Sequence, residues 1–236
     1  MTEAQPVQAS REPNFVLAKL ERRALLALAR RLPRWVLPDH LTALGVLSAL
    51  GIGSAYVLSN DSVLWLLAVN AFLLVHWFGD SLDGTLARVR KIERPRYGYY
   101  LDHLTDAIST ALIGIGLGLS PFMLLSTGLL IVVVYLVLSI NVYLESFAFG
   151  EFKIGYGYLG PTEARIALFA LNTLLASGVG LQFHLASVGM SVLDVVGLGV
   201  AAVMLVALVV RALRNLRQLA AEEPSARRRP EPVPSG

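Results

Sequence analysis

The chain has 236 residues, of which 55% are hydrophobic and only 16% are charged, and its mean hydropathy is +0.62. This composition predicts a polytopic membrane protein rather than a soluble one, and the length excludes several independent domains. The chain contains no cysteine, which excludes a disulfide framework and a thiolate metal site.

Residues 1–37 form an N-terminal segment whose polar opening residues predict no signal peptide. From Phe15 to Trp35, leucines alternate with Lys19 and several arginines. This alternation predicts a basic amphipathic helix on the surface of an anionic leaflet. A solvated helix that carries topology-determining charges is the alternative.

The next 180 or so residues contain six apolar segments, each close to the roughly 20 residues that a transmembrane helix needs. We therefore predict an all-α fold with a six-helix transmembrane domain over residues 38–217. The predicted spans are Leu41–Leu58, Val63 to Asp80 and beyond, Tyr99–Leu119, Phe122–Glu145, Thr162–Phe183 and Val188–Leu213.

The basic residues predict the orientation of these spans. All 20 Lys and Arg residues lie in the N-terminal segment, the 88–96 connection, the 146–165 region or the C-terminal end. The connections at 59–62, 120–121 and 184–187 have none, which indicates that both termini are cytoplasmic. Residues 218–236 are rich in proline and arginine and are expected to be a disordered tail.

Four aspartates interrupt this apolar pattern between the second and third spans. Asp80 and Asp83 are three residues apart, and Asp102 and Asp106 are four apart, so each pair lies on one face of a helix. Carboxylates at bilayer depth are costly and indicate a functional site. Two facing helices with two carboxylates each predict an oxygen-rich cage for one or two divalent cations.

Small and basic residues accompany these carboxylates. Gly84 and Ala87 continue the stripe of the first aspartate pair, and Gly98 precedes the second pair. Their minimal side chains leave room for a bulky ligand. Arg88 offers a planar donor for phosphate, and the 89–97 connection adds four more basic residues. The pattern predicts a diphosphate site bridged by metal ions, open to the cytoplasm.

Two other classes of protein could carry such carboxylates. A divalent-cation transporter would use the same ligands, but it would not need Gly84, Ala87 and Arg88 in register with them. A membrane scaffold without catalytic activity has no use for a carboxylate cage. Neither alternative accounts for the whole pattern.

The run from Asp80 to Asp106 resembles the signature of the CDP-alcohol phosphotransferases, with every signature position filled and a connection of nine residues between its halves. The resemblance implies a six-helix membrane enzyme of phospholipid synthesis, usually a homodimer. Such an enzyme cleaves a CDP-linked alcohol donor, transfers the phospho-alcohol to a hydroxyl acceptor and releases CMP. The membrane would be a bacterial inner membrane or an endomembrane, and no nucleic-acid partner is expected.

The resemblance also implies residue roles. Asp80, Asp83 and Asp102 would hold two metal ions, most simply Mg2+ with Mn2+ as the alternative, and Asp106 would be a ligand or the general base. The cytidine diphosphate would be accommodated by a separate set of small and basic positions, namely Gly84, Ala87, Arg88 and Gly98.

Three features are similar to the branch that uses CDP-choline or CDP-ethanolamine with diacylglycerol. Asp39 lies in the segment that leads into the first span, and this segment is similar to that of the branch. The branch has Asn at this position, and the change to Asp puts a nucleotide contact there in doubt. His103 follows Asp102, and Glu163 opens the fifth span; both are candidates for deprotonating the acceptor. A structural histidine and a helix-dipole glutamate are the alternatives. The other functional alternative is a CDP-diacylglycerol-dependent enzyme acting on glycerol phosphate, serine, inositol or inositol phosphate.

Polar residues elsewhere in the spans have other predicted roles. Asn70, His76 and Asn172 are expected to form hydrogen bonds between helices. Asn141 and Glu145 share a face of the fourth span, where they would either line an acceptor cavity or bond to each other.

Overall fold

The computed structural model describes residues 18–149, 161–178, 182–185 and 188–223. This part of the chain forms seven α-helices and one antiparallel hairpin. The elements are α1 (Ala18–Arg31), α2 (Pro38–Leu58), α3 (Trp65–Arg90), α4 (Pro95–Gly118), α5 (Leu125–Phe149), α6 (Pro161–Ala176), β1 (Gln182–Leu185), β2 (Val188–Ser191) and α7 (Val192–Glu222).

Four of these helices, α2, α3, α5 and α7, are long and apolar enough to cross a membrane. The 24-residue α4 is long enough, but Asp102 and Asp106 lower its hydropathy. The 16 residues of α6 reach about 24 Å, which is short of a hydrocarbon core of about 30 Å. The fold is that of a polytopic helical membrane protein, and the six spans remain a prediction.

The end of the fifth predicted span and the start of the sixth were wrong. α6 ends at Ala176 rather than Phe183, and α7 begins at Val192 rather than Val188. Between them, β1 and β2 pair from Gln182↔Ser191 to Leu185↔Val188. Gly178, with φ of +85°, follows the end of α6, and the Ser191 hydroxyl caps α7 by accepting from the Asp194 amide. Hydropathy alone does not reveal these local signals.

The boundaries of the terminal segments also differ from the prediction. The described part of the N-terminal helix is Ala18–Arg31, so it ends before Trp35, and α7 continues to Glu222, so the first residues of the predicted tail are helical. The remainder of the tail, 224–236, and residues 1–17 lie outside the described residues.

Glycines allow α2 to pack closely against its neighbours. A methyl group on Gly79 would lie 2.6 Å from the Leu41 carbonyl oxygen, and one on Gly53 would lie 2.6 Å from the Leu112 carbonyl oxygen. The first contact joins α2 to α3 and the second joins α2 to α4. The small residues at these positions therefore let the backbones approach closely.

Two groups of buried apolar side chains stabilise the bundle. The larger group joins α2, α3, α6 and α7 around Ile52, Leu73 and Leu193. The smaller one packs Leu25 of α1 against Leu82 of α3. The apolar face of α1 is thus partly used for packing within the protein, and contact of α1 with a membrane surface stays a prediction.

The predicted hydrogen bonds between helices are confirmed for two residues. The Asn70 Nδ2 donates to Thr173 Oγ1 at 3.0 Å, and Asn172 Nδ2 donates to Asn70 Oδ1 at 3.0 Å. Tyr56 completes the network by donating to Asn172 Oδ1 at 3.1 Å. The network joins α2, α3 and α6, and a buried amide is stable here because it is hydrogen-bonded.

Glu145 of α5 faces α7 instead of bonding to Asn141. Its carboxylate accepts hydrogen bonds from Arg211 Nε at 2.8 Å and from Asn215 Nδ2 at 3.1 Å. Glu145 therefore joins α5 to α7, and the guanidinium of α7 compensates its buried charge.

Candidate active site

A tight reversal between α3 and α4 brings the two aspartate pairs together. Lys91 ends α3 with φ of 57°, in the left-handed conformation that commonly terminates helices, and the Ile92 amide bonds to the Ala87 carbonyl at 3.0 Å. Pro95 opens α4 at its first position, where a missing amide hydrogen is tolerated. With so short a connection, the ends of α3 and α4 that carry the aspartates are neighbours.

Asp83 and Asp80 have different partners although they share a helix. The Thr42 hydroxyl of α2 donates to Asp83 Oδ2 at 2.6 Å. Asp80 forms an ion pair with Arg165 of α6, in which both side chains are largely buried. Two other helices, α2 and α6, therefore fix the two carboxylates of α3.

The carboxylates of α4 lie close enough to act on those of α3. Asp106 is subject to the charges of Asp80 and Asp102, and Asp83 is subject to the same two charges. Four like charges in one partly buried region repel one another unless cations compensate them. The predicted grouping of the four aspartates thus corresponds to one electrostatically connected region between α3 and α4.

The carboxylates have the chemistry that a divalent cation requires, but their side chains do not converge on one point. Among the described residues, no group of three or more His, Cys, Asp or Glu side chains is close enough to hold a metal ion. Arg165 binds Asp80, and Thr42 binds Asp83. The donor set suits Mg2+, and loading would require Asp80 to turn away from Arg165.

The small residues next to the carboxylates border open space. A methyl group on Gly98 would meet nothing within 4 Å, and one on Gly84 would meet only the Arg88 guanidinium, at 3.5 Å from Nη1. Arg88 donates to Thr85 Oγ1 at 3.2 Å and so folds back along α3. Ala87 lies one turn from Gly84 and is half-buried. This side of α3 and α4 has room for a ligand.

Asp39 is engaged by the connection between α3 and α4. Arg94 forms an ion pair with it, and the guanidinium lies 3.9 Å from the centre of the Tyr97 ring. The hydrogen bond to Asp39 raises the pKa of Arg94, so the guanidinium stays charged. Where the resembled branch has an amide, this chain therefore presents a carboxylate that is already paired with a cation.

His103 and Glu163 occupy different surroundings. The His103 ring lies between two tyrosines, with centroids 4.1 Å from Tyr99 and 4.8 Å from Tyr143, and its Nδ1 is 3.4 Å from Asp102 Oδ2. Glu163 is half-buried in the first turn of α6, two residues before Arg165. His103 therefore lies next to Asp102, a predicted metal ligand. Glu163 lies on α6, the helix whose Arg165 binds Asp80.

Three residues near the aspartates were not predicted as site residues. Arg165 and Thr42 contact Asp80 and Asp83, and His76 is buried one turn before Asp80. Within the described residues, His76 Nδ1 has no hydrogen-bond partner, so its predicted interhelical bond is not seen at that atom. An arginine within an apolar span is itself a signal of a site, and this signal could have identified Arg165.

The helical bundle, its apolar exterior and the carboxylates between α3 and α4 define an integral membrane protein with a polar site inside it. The profile of the CDP-alcohol phosphatidyltransferase family matches residues 35–210, which is most of the chain. The chain belongs to this family and is a phosphotransferase of phospholipid biosynthesis.

Known structures show the same fold. The chain is similar to the crystal structure of the Mycobacterium tuberculosis phosphatidylinositol phosphate synthase (PgsA1) with CDP-DAG bound, with a TM-score of 0.56 and 21% sequence identity. The similarity covers 89% of this chain and 100% of that one. A comparison with curated proteins gives no match.

Proposed function

We propose that this chain is a metal-dependent phosphatidyltransferase that uses a CDP-diacylglycerol donor and a polar alcohol acceptor, and that it releases CMP. The observation that carries the proposal is the proximity of Asp80 and Asp83 on α3 to Asp102 and Asp106 on α4. Transfer of a phosphoryl group depends mainly on positioning and charge neutralisation, which such a site provides.

The four aspartates would have two different roles, metal binding and proton transfer. Asp80, Asp83 and Asp102 would hold two Mg2+ ions, with Mn2+ as a substitute. When bound, these ions would neutralise the donor diphosphate. The half-buried Asp106, next to both Asp80 and Asp102, would take the proton of the acceptor hydroxyl. The acceptor oxygen then forms a bond to the phosphorus that carries the lipid, the bond to the bridging oxygen breaks, and CMP leaves.

The donor would bind on the open side of the site. The minimal side chains of Gly84, Ala87 and Gly98 leave space for the nucleotide, and Arg88 can swing from Thr85 to a phosphate oxygen. Asp39 would contribute only as the partner that orients Arg94. His103 would orient Asp102, while Glu163 as a base remains a prediction.

Two considerations favour a CDP-diacylglycerol donor with a polar acceptor over the reaction that the sequence motifs favoured, in which a CDP-linked amino alcohol is the donor and diacylglycerol is the acceptor. The solved relative is a phosphatidylinositol phosphate synthase, crystallised with CDP-DAG bound. In addition, Arg165 places a guanidinium beside Asp80, and this group suits a phosphate on the acceptor better than a neutral diacylglycerol. CDP-choline or CDP-ethanolamine with diacylglycerol is the second candidate, because His103 and Glu163 match that branch. A homodimer remains a prediction from the resemblance.

The test is CMP release by purified protein in lipid with Mg2+. One set of reactions contains CDP-diacylglycerol with glycerol phosphate, serine, inositol or inositol phosphate, and the other contains CDP-choline or CDP-ethanolamine with diacylglycerol. We expect turnover only in the first set. Turnover only in the second would transfer the assignment to the amino-alcohol branch.

The metal-site assignment has its own control pair. Asp80→Ala should abolish CMP release because it removes a proposed metal ligand. Asp61→Ala changes an exposed aspartate in the turn after α2 and should leave the rate unchanged. Full turnover by Asp80→Ala would show that the aspartates are not the metal site.

A further inference from the structure

The backbones of α4 and α5 approach closely at one end, where glycines face the other helix. A methyl group on Gly118 would lie 3.1 Å from the Leu125 Cα, and one on Gly128 would lie 2.7 Å from the Gly114 carbonyl oxygen. At the other end, the rings of His103 and Tyr143 separate the helices. Since interhelical distance follows the size of the side chains at the contact, the helices diverge from the glycines towards the rings.

The burial of α4 agrees with this divergence. The buried residues of α4 are Ser109, Gly116, Leu117 and Gly118, so none lies in the half from Pro95 to Ile108. That half carries Asp102 and Asp106. The aspartates of α4 therefore face a wedge that opens towards the α3–α4 connection.

One face of α5 lines this wedge with hydroxyl groups. Tyr135, Ser139 and Tyr143 are four residues apart, so they form a stripe in which neighbours are about 6 Å apart along the helix. All three are half-buried. The opposite face of α5 carries Glu145, which is bound to α7.

Because α4 and α5 run antiparallel, the stripe of α5 lies beside the aspartates of α4. Tyr143 contacts the ring of His103, next to Asp102. Tyr135 lies in the field of Asp106 and interacts with Thr110, one turn after Asp106. The stripe thus runs along α4 from Thr110 to His103 and passes Asp106, the proposed base.

We propose that Tyr135, Ser139 and Tyr143 form the acceptor subsite and that they select a polyhydroxylated alcohol of the glycerol or inositol type, free or phosphorylated. This proposal rests on the proposed function. Each hydroxyl of the stripe can both donate and accept a hydrogen bond, so the stripe matches an acceptor with several hydroxyls. Ser139 bonds to both Tyr135 and Tyr143, so the stripe is hydrogen-bonded within itself. The single hydroxyl of diacylglycerol could bond to only one of its groups, whereas a polyol could bond to several.

The first experiment measures acceptor binding without turnover. Isothermal titration calorimetry with Mg2+ and no donor compares glycerol phosphate, inositol and inositol phosphate on wild-type protein, Tyr143→Phe, Tyr135→Phe and Ser139→Ala. We expect at least one of these alcohols to bind the wild type, and each substitution to raise its Kd about three- to tenfold, the effect of one neutral hydrogen bond. Tyr100→Phe is the matched control, because Tyr100 of α4 is 68% exposed and should leave Kd unchanged.

The second experiment separates this subsite from a structural role. In CMP-release assays, the KM for the acceptor should rise while the KM for CDP-diacylglycerol stays within about twofold of the wild type. Equal increases in both KM values, an unchanged acceptor Kd, or no binding of any polyol by the wild type would each overturn the subsite. A wild type that binds a polyol but releases no CMP would overturn the proposed function alone.

Discussion

A single side chain from a neighbouring helix orients each aspartate of α3. Asp80 and Asp83 lie on the same stripe of α3, yet one is held by a charged guanidinium and the other by a neutral hydroxyl. A metal ion at Asp80 would require Arg165 to move away, whereas Asp83 could hold an ion while the Thr42 hydroxyl still donates to it. Asp83 is therefore the ligand whose orientation is set in advance.

Replacing Thr42 by Val should weaken metal activation. The change removes the hydroxyl that donates to Asp83 Oδ2 at 2.6 Å and keeps the shape of the side chain. A supporting hydrogen bond of this kind contributes about tenfold or more to metal affinity. We expect the Mg2+ concentration for half-maximal CMP release to rise by about that factor.

Thr105→Val is the control for this substitution, because the Thr105 hydroxyl bonds to carbonyl oxygens of its own helix. It should leave the Mg2+ requirement near the wild-type value. An unchanged requirement in Thr42→Val would show that the hydroxyl does not orient a metal ligand.

Replacing Gly84 by Ala should impair donor binding without affecting the fold. A methyl group there would meet only Arg88, at an ordinary contact distance, so the helix can accept it. The same methyl group would enter the space proposed for the nucleotide. We expect the KM for the CDP-linked donor to rise at least tenfold in steady-state assays, with no loss of thermal stability. Gly199→Ala is the control, because a methyl group at this position of α7 would meet nothing within 4 Å, and the donor KM should not change. An unchanged donor KM in Gly84→Ala as well would place the nucleotide elsewhere.

At the scale of the elements, the sequence predicted local features well and contacts between distant segments poorly. The spacing of Asp80, Asp83, Asp102 and Asp106 fixes their helix faces, because helical periodicity is local. The pairing of Asp80 with Arg165 joins residues 85 positions apart, and it depends on how α6 packs against α3. The same reason explains why neither predicted role of Glu145, a cavity or a bond to Asn141, included its partner on α7.

The hairpin between α6 and α7 was missed for a different reason. Its apolar residues continue the hydropathy of the flanking helices, so the composition resembles that of a span. The capping serine at 191 and the glycine at 178 are short-range signals that an estimate over a window of about 19 residues averages out. Boundaries of this kind depend on single residues.

Glu21 connects three elements and should contribute to the stability of the bundle. Its carboxylate accepts hydrogen bonds from Trp77 Nε1 of α3 at 2.9 Å and from Thr162 Oγ1 of α6 at 2.6 Å. Glu21→Ala leaves both donors without this partner, and each hydrogen bond to a charged group contributes about 1.5–3 kcal/mol. We expect a lower thermal unfolding midpoint in detergent. Glu93→Ala, at an exposed position after α3, should unfold like the wild type, and equal midpoints in both variants would show that Glu21 does not hold α1 in place.

At the scale of the whole molecule, the exterior and the interior follow the rule for proteins in lipid. Large apolar side chains on α5 and α7 are exposed, with Val133 at 55% and Val203 at 70%. The ion pairs between Asp80 and Arg165 and between Glu145 and Arg211 are turned inward. This arrangement places polar groups where the protein, and not lipid, surrounds them.

The number of spans determines on which side each connection lies, and the absence of cysteine makes this measurable. Single cysteines replace exposed residues at four positions, three in connections and one after the last helix: Asp61 after α2, Glu93 after α3, Ser177 after α6 and Glu223 after α7. A maleimide that cannot cross membranes is applied to intact cells and to permeabilised cells. Six spans with cytoplasmic termini predict labelling of positions 61 and 177 in intact cells, and of positions 93 and 223 only after permeabilisation.

The helix α6 makes this test discriminating, because its 16 residues are shorter than a typical span. If α6 crosses the membrane, positions 93 and 177 lie on opposite sides. The ion pair between Arg165 and Asp80 near the start of α6 requires that end to lie at the depth of the aspartates of α3, so crossing would carry Ser177 to the opposite side of the membrane. Labelling of position 177 only after permeabilisation would mean that α6 returns without crossing, and the six-span topology would be wrong.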